Sequence, residues 1–396
     1  MSELEHVYEY YKRNIGRIFN SKEFGEIWGG SKYPKPFVAF NRWATPDTIM
    51  HFVDGTGDLN SLYRDKHYAK KTKYGCLIAP PCFLYSVLWA GLAIDLIHGV
   101  HGWFSGSEWE WFRPIYEGDR INWKTVQPFD VQLKTSAMAN RSVIVYNHDT
   151  FTTQENEVIA SHKGWAIHAD RSNAVKLSKY ADVSPSHEYT AEKIKEIQDA
   201  QEKESIRGAN PRYWEDVQFG NELTPVVFGP LTLNEMVVWI MGGGNLMNKS
   251  DRIWRILYDR HKDSDLGFFD AMLNTRLNLE LPHFDKDLAQ QVGVPDAYDF
   301  GSQRISCLSV LLTNWMGDDG FLWKLRAELR RFNLIGDTTW YMGRVVSKYI
   351  DGGKCCVDVE CWGENQRGEV TTPGTATIIL PSKKHGSVVY PSAAGE

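Results

Sequence analysis

GDLNSLYRDKHYAKKTKYGCLIAPPCFLYSVL at residues 57–88 and LNLELPHFDKDLAQQVGVPDAYDFGSQRISCLSVLL at 277–312 are two versions of one pattern. Tyr63-Arg64-Asp65 with Ala69 matches His283-Phe284-Asp285 with Ala289. Sixteen residues past Tyr63 stands Ala79, and sixteen past His283 stands Asp299; each segment then enters an apolar run. Beyond the run both copies carry a strand-like stretch closed by a Gly-Asp turn: FRPIYEGDRINW with Gly118-Asp119, and RRFNLIGDTTWY with Gly336-Asp337. Duplicated order of elements, more than shared composition, marks an internal repeat.

The repeat sets the organisation. Residues 1–182 form the first unit, 183–210 a charged linker and 211–396 the second unit. The linker lacks apolar periodicity and reads as a solvated helix, with a start near Thr190. An insertion at 241–275 lengthens the second unit, and its MGGGNLMNKS lacks phosphate-loop spacing. Each unit reads as short strand, helix, loop, long apolar helix, then strands with period-two alternation, best seen in VDVECWGENQRGEVTTPGTATIIL. A central helix wrapped by an antiparallel sheet is an α+β architecture. The apolar run 83–99 contains Asp95 and is short for a span, so it is expected as a buried core helix.

With 42% hydrophobic and 24% charged residues, the chain of 396 has the composition of a soluble globular protein. A net charge of −6 excludes nucleic acid as the main partner. The six cysteines show no metal or CxxC spacing and the start has no apolar signal core, which points to reduced thiols in the cytoplasm. His98 and His101 are flanked by glycines without an evident carboxylate, and no metal site is expected.

The two loops, with FRPIYEGDRI, RRFNLIGDTTW and ELTPVVFGPLT, resemble the halves of a MaoC-like acyl dehydratase, the (R)-specific enoyl-thioester hydratase family. The resemblance spans about nine-tenths of the chain and implies a duplicated, double hot-dog fold. It also implies reversible hydration of a 2-enoyl thioester or dehydration of a 3-hydroxyacyl thioester, with coenzyme A or an acyl carrier as part of the substrate and no other cofactor. The family loop reads G-D-x-N-P-x-H, its Asp and His forming the catalytic pair. The first loop keeps Asp58 and Asn60 but has Tyr63 at the His position; the second keeps His283 but has Asn278 at the Asp position.

This chemistry needs an acid, a base and donors for a developing enolate oxygen. The resemblance assigns the donor to a helix-starting glycine, which is Gly301 in the second half. The first half has Pro81 there, which lacks an N–H. The second loop is therefore the expected catalytic copy: His283 with Gly301, Asn278 holding water or carbonyl, and a carboxylate from Glu280, Asp299 or the insertion (Asp263, Asp265, Asp270). The first loop is the expected degenerate copy, with Asp58, Asn60 and Tyr63 as a secondary site. A composite of Asp58 and His283 is disfavoured because the loops belong to separate clefts.

Arg304, Arg331 and Arg113 are candidate phosphate contacts. The fifteen tryptophans, with Trp109 in a cluster beside the repeat, suggest a bulky acyl group. Thioester hydrolysis and non-catalytic acyl-thioester binding are the competing readings. Hot-dog sheets pair edge to edge, so a homodimer or partner subunit is expected, without membrane attachment.

Overall fold

The computed structural model describes residues 3–21, 40–89, 100–134, 141–170, 188–244, 250, 252, 268–278 and 280–393. The first half contributes helices α1 (Glu3–Arg13) and α2 (Pro46–Thr56). Its strands are β1 (Ile18–Asn20), β2 (Ile78–Ala79), β3 (Val100–Trp111), β4 (Ile115–Tyr116), β5 (Asn122–Lys134), β6 (Ser142–Thr152) and β7 (Val158–Asp170). The linker carries α3 (Ala191–Glu202). The second half has β8 (Val226–Phe228), α4 (Leu233–Gly243), the hairpin β9 (Phe268–Asp270) and β10 (Thr275–Leu277), and the long helix α5 (Gly301–Met316). It closes with β11 (Phe321–Glu328), β12 (Thr339–Asp351), β13 (Lys354–Asn365) and β14 (Val370–Ile379).

Ten of these strands make one antiparallel sheet in the order β1-β5-β6-β7-β3-β11-β14-β13-β12-β8. Read outward from the centre, the two halves repeat the same topology. They meet where β11 pairs with β3, Lys324 opposite Glu110 through Glu328 opposite Gly106. Arg326 to Glu108 at 3.2 Å and the Trp323 indole donating to Glu110 at 3.0 Å add cross-strand contacts at the seam.

The repeat holds at residue level. Asp119 accepts the Tyr116 amide, and Asp337 accepts the Leu334 amide three residues before it. Gly118 and Gly336 take positive φ, 100° and 86°, which fits glycine at each turn. The pairing of Ile78 with Tyr116 recurs as the bridge from Tyr298 to Leu334. Helices α2 and α4 start on equivalent N-caps, Thr45 and Thr232, and cross closely. A Cβ on Gly242 would sit 1.9 Å from the His51 carbonyl, so only glycine permits this approach.

Every side-chain-bearing residue of α5 is buried, including Ser306, Ser309 and Thr313. Their hydroxyls bond back to the Ser302, Ser306 and Ser309 carbonyls, which removes the cost of burying them. The counterpart in the first half differs from the expected long helix. Its described part is a 3₁₀ turn, Pro81–Ser86, after Pro80 held extended at ψ 151°. Proline at 81 disfavours helix in the residue before it, and the Ser86 hydroxyl takes the Phe83 carbonyl at 2.7 Å. Residues 90–99 of that expected helix lie outside the described residues, as does most of the 241–275 insertion. The linker helix does begin on Thr190, which accepts the Lys193 amide. It is less solvated than expected, because Ile197 is buried and Gln201 donates to the Val227 and Gly229 carbonyls.

Candidate active site

Asn278 opens the second loop with a local turn, its buried Oδ1 accepting the Glu280 amide at 3.0 Å. A 3₁₀ turn, Leu281–His283, follows, and Asp285 caps the next short helix through the Leu288 amide. This presses His283 onto Phe300, ring centroids 3.9 Å apart and 21° from parallel. His283 Nδ1 lies 2.9 Å from the Tyr298 carbonyl. A carbonyl only accepts, so Nδ1 carries the hydrogen and Nε2 keeps its lone pair. Nε2 faces Glu280 Oε2 at 3.7 Å. That spacing suits two acceptors sharing one donor, such as water, and is too long for a direct bond. Burial draws the imidazole pKa down to about 4, against the main-chain bonds to Tyr298 and Asp299 that oppose it. The ring is therefore neutral at pH 7, and with its side chain 16% exposed it is still reachable.

Helix α5 starts beside this ring. Its N-cap, Phe300, makes no side-chain cap, so the first-turn amides have no partner within the helix and present the positive end of its dipole. Gly301 is wedged there: a Cβ would come within 2.3 Å of Leu329 Cδ1 and 2.6 Å of Phe104 Cδ1. Phe104 comes from the first half, as does Trp89, whose ring meets Phe300 edge-on at 5.7 Å. Both halves thus wall this cleft. Tyr298, Phe284 and Leu329 complete an apolar, largely aromatic surround.

Of the carboxylates expected to serve His283, Glu280 is brought to it and Asp299 is not. Asp299 turns into the core, bonded by Nε and Nη2 of Arg304 and by Asn333 Nδ2 at 3.1 Å. Asp270 accepts the Met272 and Leu273 amides in the hairpin turn. Asp263, Asp265 and His98, with the side chain of His101, lie outside the described residues.

The residues expected to meet substrate are engaged elsewhere. Arg304 is 3% exposed, committed to Asp299 and to the Arg331 carbonyl, so it has no edge left for a phosphate. Arg331 pairs with Glu369 at 3.1 Å, and Arg113 with Asp119 at 2.9 Å and Glu157 at 3.3 Å. Trp109 is a core residue, 1% exposed, stacked on Trp111 and donating to the Tyr85 hydroxyl.

The first loop has the same backbone design. Asp58 Oδ1 accepts the Asn60 amide at 2.9 Å, as Asn278 does for Glu280, and Asp65 caps the next turn as Asp285 does. Asn60 Oδ1 in turn accepts the Leu62 amide. Asp58 is 1% exposed; burial pushes its pKa up to about 7, opposed by the Asn60 amide, with nearby Glu204 adding to the rise. Tyr63 is buried at the His283 position with its hydroxyl bonded to Thr313 on α5. Pro81 uses its carbonyl to accept the Trp111 indole. The first loop thus packs near Thr313, late in α5, whereas the second packs at Phe300, its start. Thirteen residues of helix rise separate these anchors by roughly 20 Å.

A third polar cluster had no signal in the sequence. Ser107 Oγ lies 2.7 Å from His162 Nε2, and His162 Nδ1 lies 2.7 Å from Asp149 Oδ2. This has the connectivity of a Ser-His-Asp relay. Ser107 is 0% exposed and each partner 1%, with the Tyr85 hydroxyl bonded to Ser107, so no acyl group reaches it. It fastens three strands, β3, β7 and β6, inside the first half. Its members sit on strands far apart in sequence, which alternation cannot align.

Residues 42–162 match the family model described as the FAS1-like dehydratase domain region. The chain is 30% identical over 122 residues to a UPF0336 protein of Thermobifida fusca, covering 28% of this chain and 75% of that one. Among solved structures it is similar to a MaoC-like dehydratase, with TM-score 0.62 and 14% identity over 93% of this chain and 99% of that chain. It is also similar to a conserved hypothetical protein of Mycobacterium tuberculosis with a double hotdog fold, with TM-score 0.53 and 9% identity over 92% and 96% of the two chains. The ten-stranded sheet with duplicated topology is that double hot dog.

Proposed function

This chain belongs to the MaoC-like dehydratases, and from that premise we propose that it hydrates a 2-enoyl thioester, or dehydrates the 3-hydroxyacyl thioester, in the cleft at the start of α5. The observation that carries this reading is the pair of facing acceptors, His283 Nε2 and Glu280 Oε2, 3.7 Å apart beside uncapped helix amides. In the hydration direction, water donates one hydrogen to each acceptor. His283 Nε2 takes a proton as the water oxygen bonds to Cβ. The double-bond electrons move through Cα towards the thioester carbonyl, whose oxygen gathers charge at the Gly301 amide. The imidazolium then returns a proton to Cα, so that H and OH have been added and the chain is unchanged. A histidine that is neutral at pH 7 is in the right form to start the cycle.

The thioester carrier is coenzyme A or an acyl carrier, and the chemistry uses the chain's own groups. Trp89, Phe104, Phe284, Tyr298 and Phe300 around the cleft favour a bulky acyl group over a short straight one. The test follows absorbance of the conjugated enoyl thioester together with free-thiol release. Hydration removes the conjugation and releases no thiol. Thiol release would instead make the protein a hydrolase, and binding without either change would make it a non-catalytic acyl-thioester subunit. Faster turnover of a crotonyl thioester than of cyclic or aromatic enoyl thioesters would refute the bulky-acyl assignment.

A further inference from the structure

At the far end of α5, away from His283, a cavity of about 210 Å³ is lined by Ser205, Arg207, Arg212, Thr224, Asn314 and Trp315, among others. Two arginines face it and neither has a carboxylate within 4 Å among the described residues, although most other arginines here are ion-paired. Arg212 sits over the Trp315 ring, its guanidinium carbon 4.3 Å from the centroid, and donates Nε to the Trp315 carbonyl. Arg207 donates one amino group to the Pro211 carbonyl. A cation at a helix carboxyl end is favoured in its own right, which explains the Arg212 bond to the Trp315 carbonyl. It does not explain the rest: Arg207 Nε is buried without a partner, and so is Asn314 Oδ1. The Asn314 amide is oriented by its Nδ2, which donates to Glu204 at 2.7 Å, leaving Oδ1 as an acceptor that needs a donor. Burial, and after it the neighbouring Arg207, lower the Arg212 pKa to about 10.

From this cavity with its unpaired guanidinium edge and unpaired amide oxygen, we infer a binding site for a phosphate group, lying apart from the catalytic cleft. Phosphate answers both needs at once. Its charged oxygens accept from Arg207 and Arg212, and a singly protonated phosphate carries the hydrogen that Asn314 Oδ1 requires. A carboxylate, ionised near pH 7, supplies only acceptors. Ser205 and Thr224 add hydroxyls at the wall. The site stands whether or not His283 is the base.

Inorganic phosphate is the probe, titrated calorimetrically into the full chain at pH 7 and constant ionic strength, with acetate as the carboxylate control. The expected result is saturable binding at one site, with acetate much weaker. Arg212→Gln and Arg207→Gln each weaken phosphate by roughly tenfold or more, the loss of a charge-assisted hydrogen bond. Because these arginines also brace the helix end, Thr224→Glu is the second variant. Its position is exposed and it puts a repelling carboxylate at the wall without touching the helix. A wild-type protein that does not saturate with phosphate, or a folded Thr224→Glu that binds as well as wild type, overturns the inference. Competition by coenzyme A assigns the site to the phosphate of a thioester carrier; phosphate binding unaffected by coenzyme A assigns it to free phosphate.

Discussion

At the residue scale, two equivalent positions carry opposite chemistry. Position 58 holds a buried acid and position 278 an amide, yet both accept the same amide two residues on. For Asp58, burial on folding raises the pKa to about 7 from the ordinary aspartate value of 3.8. The folded state then holds the proton more tightly than the unfolded one. The resulting stabilisation is complete below about pH 4 and is lost as pH rises through 7. Asp58→Asn copies the second loop and removes this dependence, so it raises Tm at pH 8 much more than at pH 5. The gain is at most about 4 kcal/mol, at 1.36 kcal/mol per pKa unit. Thermal melts at the two pH values check this. His283 works in the other direction: its pKa of about 4 when folded means stability is present above pH 6.5 and is lost as pH falls through 4. Its role as base gives a matching kinetic profile, kcat/KM level from pH 8 to about 5 and falling near pH 4. His283→Ala lowers kcat/KM by about 100-fold or more, while Asp58→Ala retains most activity; the opposite pattern would place the chemistry in the first loop.

At the element scale, close approaches of backbone decide which residues are tolerated. Gly301→Ala forces Phe104 and Leu329 apart at the start of α5, with a cost of about 1–3 kcal/mol and displacement of the amide assigned to the enolate oxygen. Its signature is a fall in kcat larger than the change in Tm would suggest. Gly242→Ala meets the His51 carbonyl instead of a movable side chain, so it lowers stability at least as much without touching the cleft. Denaturant melts of the two variants separate these effects. Both Gly-Asp turns and the repeated pattern of the two loops were legible in the sequence, because turns are set by residues next to one another. The first half's central segment was not. Its apolar run reads as helix, and Pro80-Pro81 with Ser86 turns its start into a 3₁₀ turn.

At the scale of the whole molecule, the pairing of β3 with β11 makes one sheet of two repeats. One core cluster runs through both, from Phe52 and Phe83 to Trp239, Leu308 and Val359. The catalytic cleft itself needs Trp89 and Phe104 from one half against Phe300 and Gly301 from the other. The two halves therefore unfold together. Calorimetry is expected to show a single transition with equal calorimetric and van't Hoff enthalpies; two resolved transitions would show that the halves are independent.

The sequence by itself determined the duplication, the α+β architecture, the dehydratase resemblance and the asymmetry of the two loops. All of these rest on residue type and spacing along the chain, which a repeat displays twice. Tertiary structure alone decided that Glu280 faces His283 while Asp299 pairs with Arg304, and that Trp109 is core. It also decided that Ser107, His162 and Asp149 meet. Each of these turns on which way a side chain points once distant segments pack. A carboxylate two residues ahead of a helix start has the same spacing to His283 whether it faces the cleft or the core, and only the buried guanidinium opposite it settled the choice.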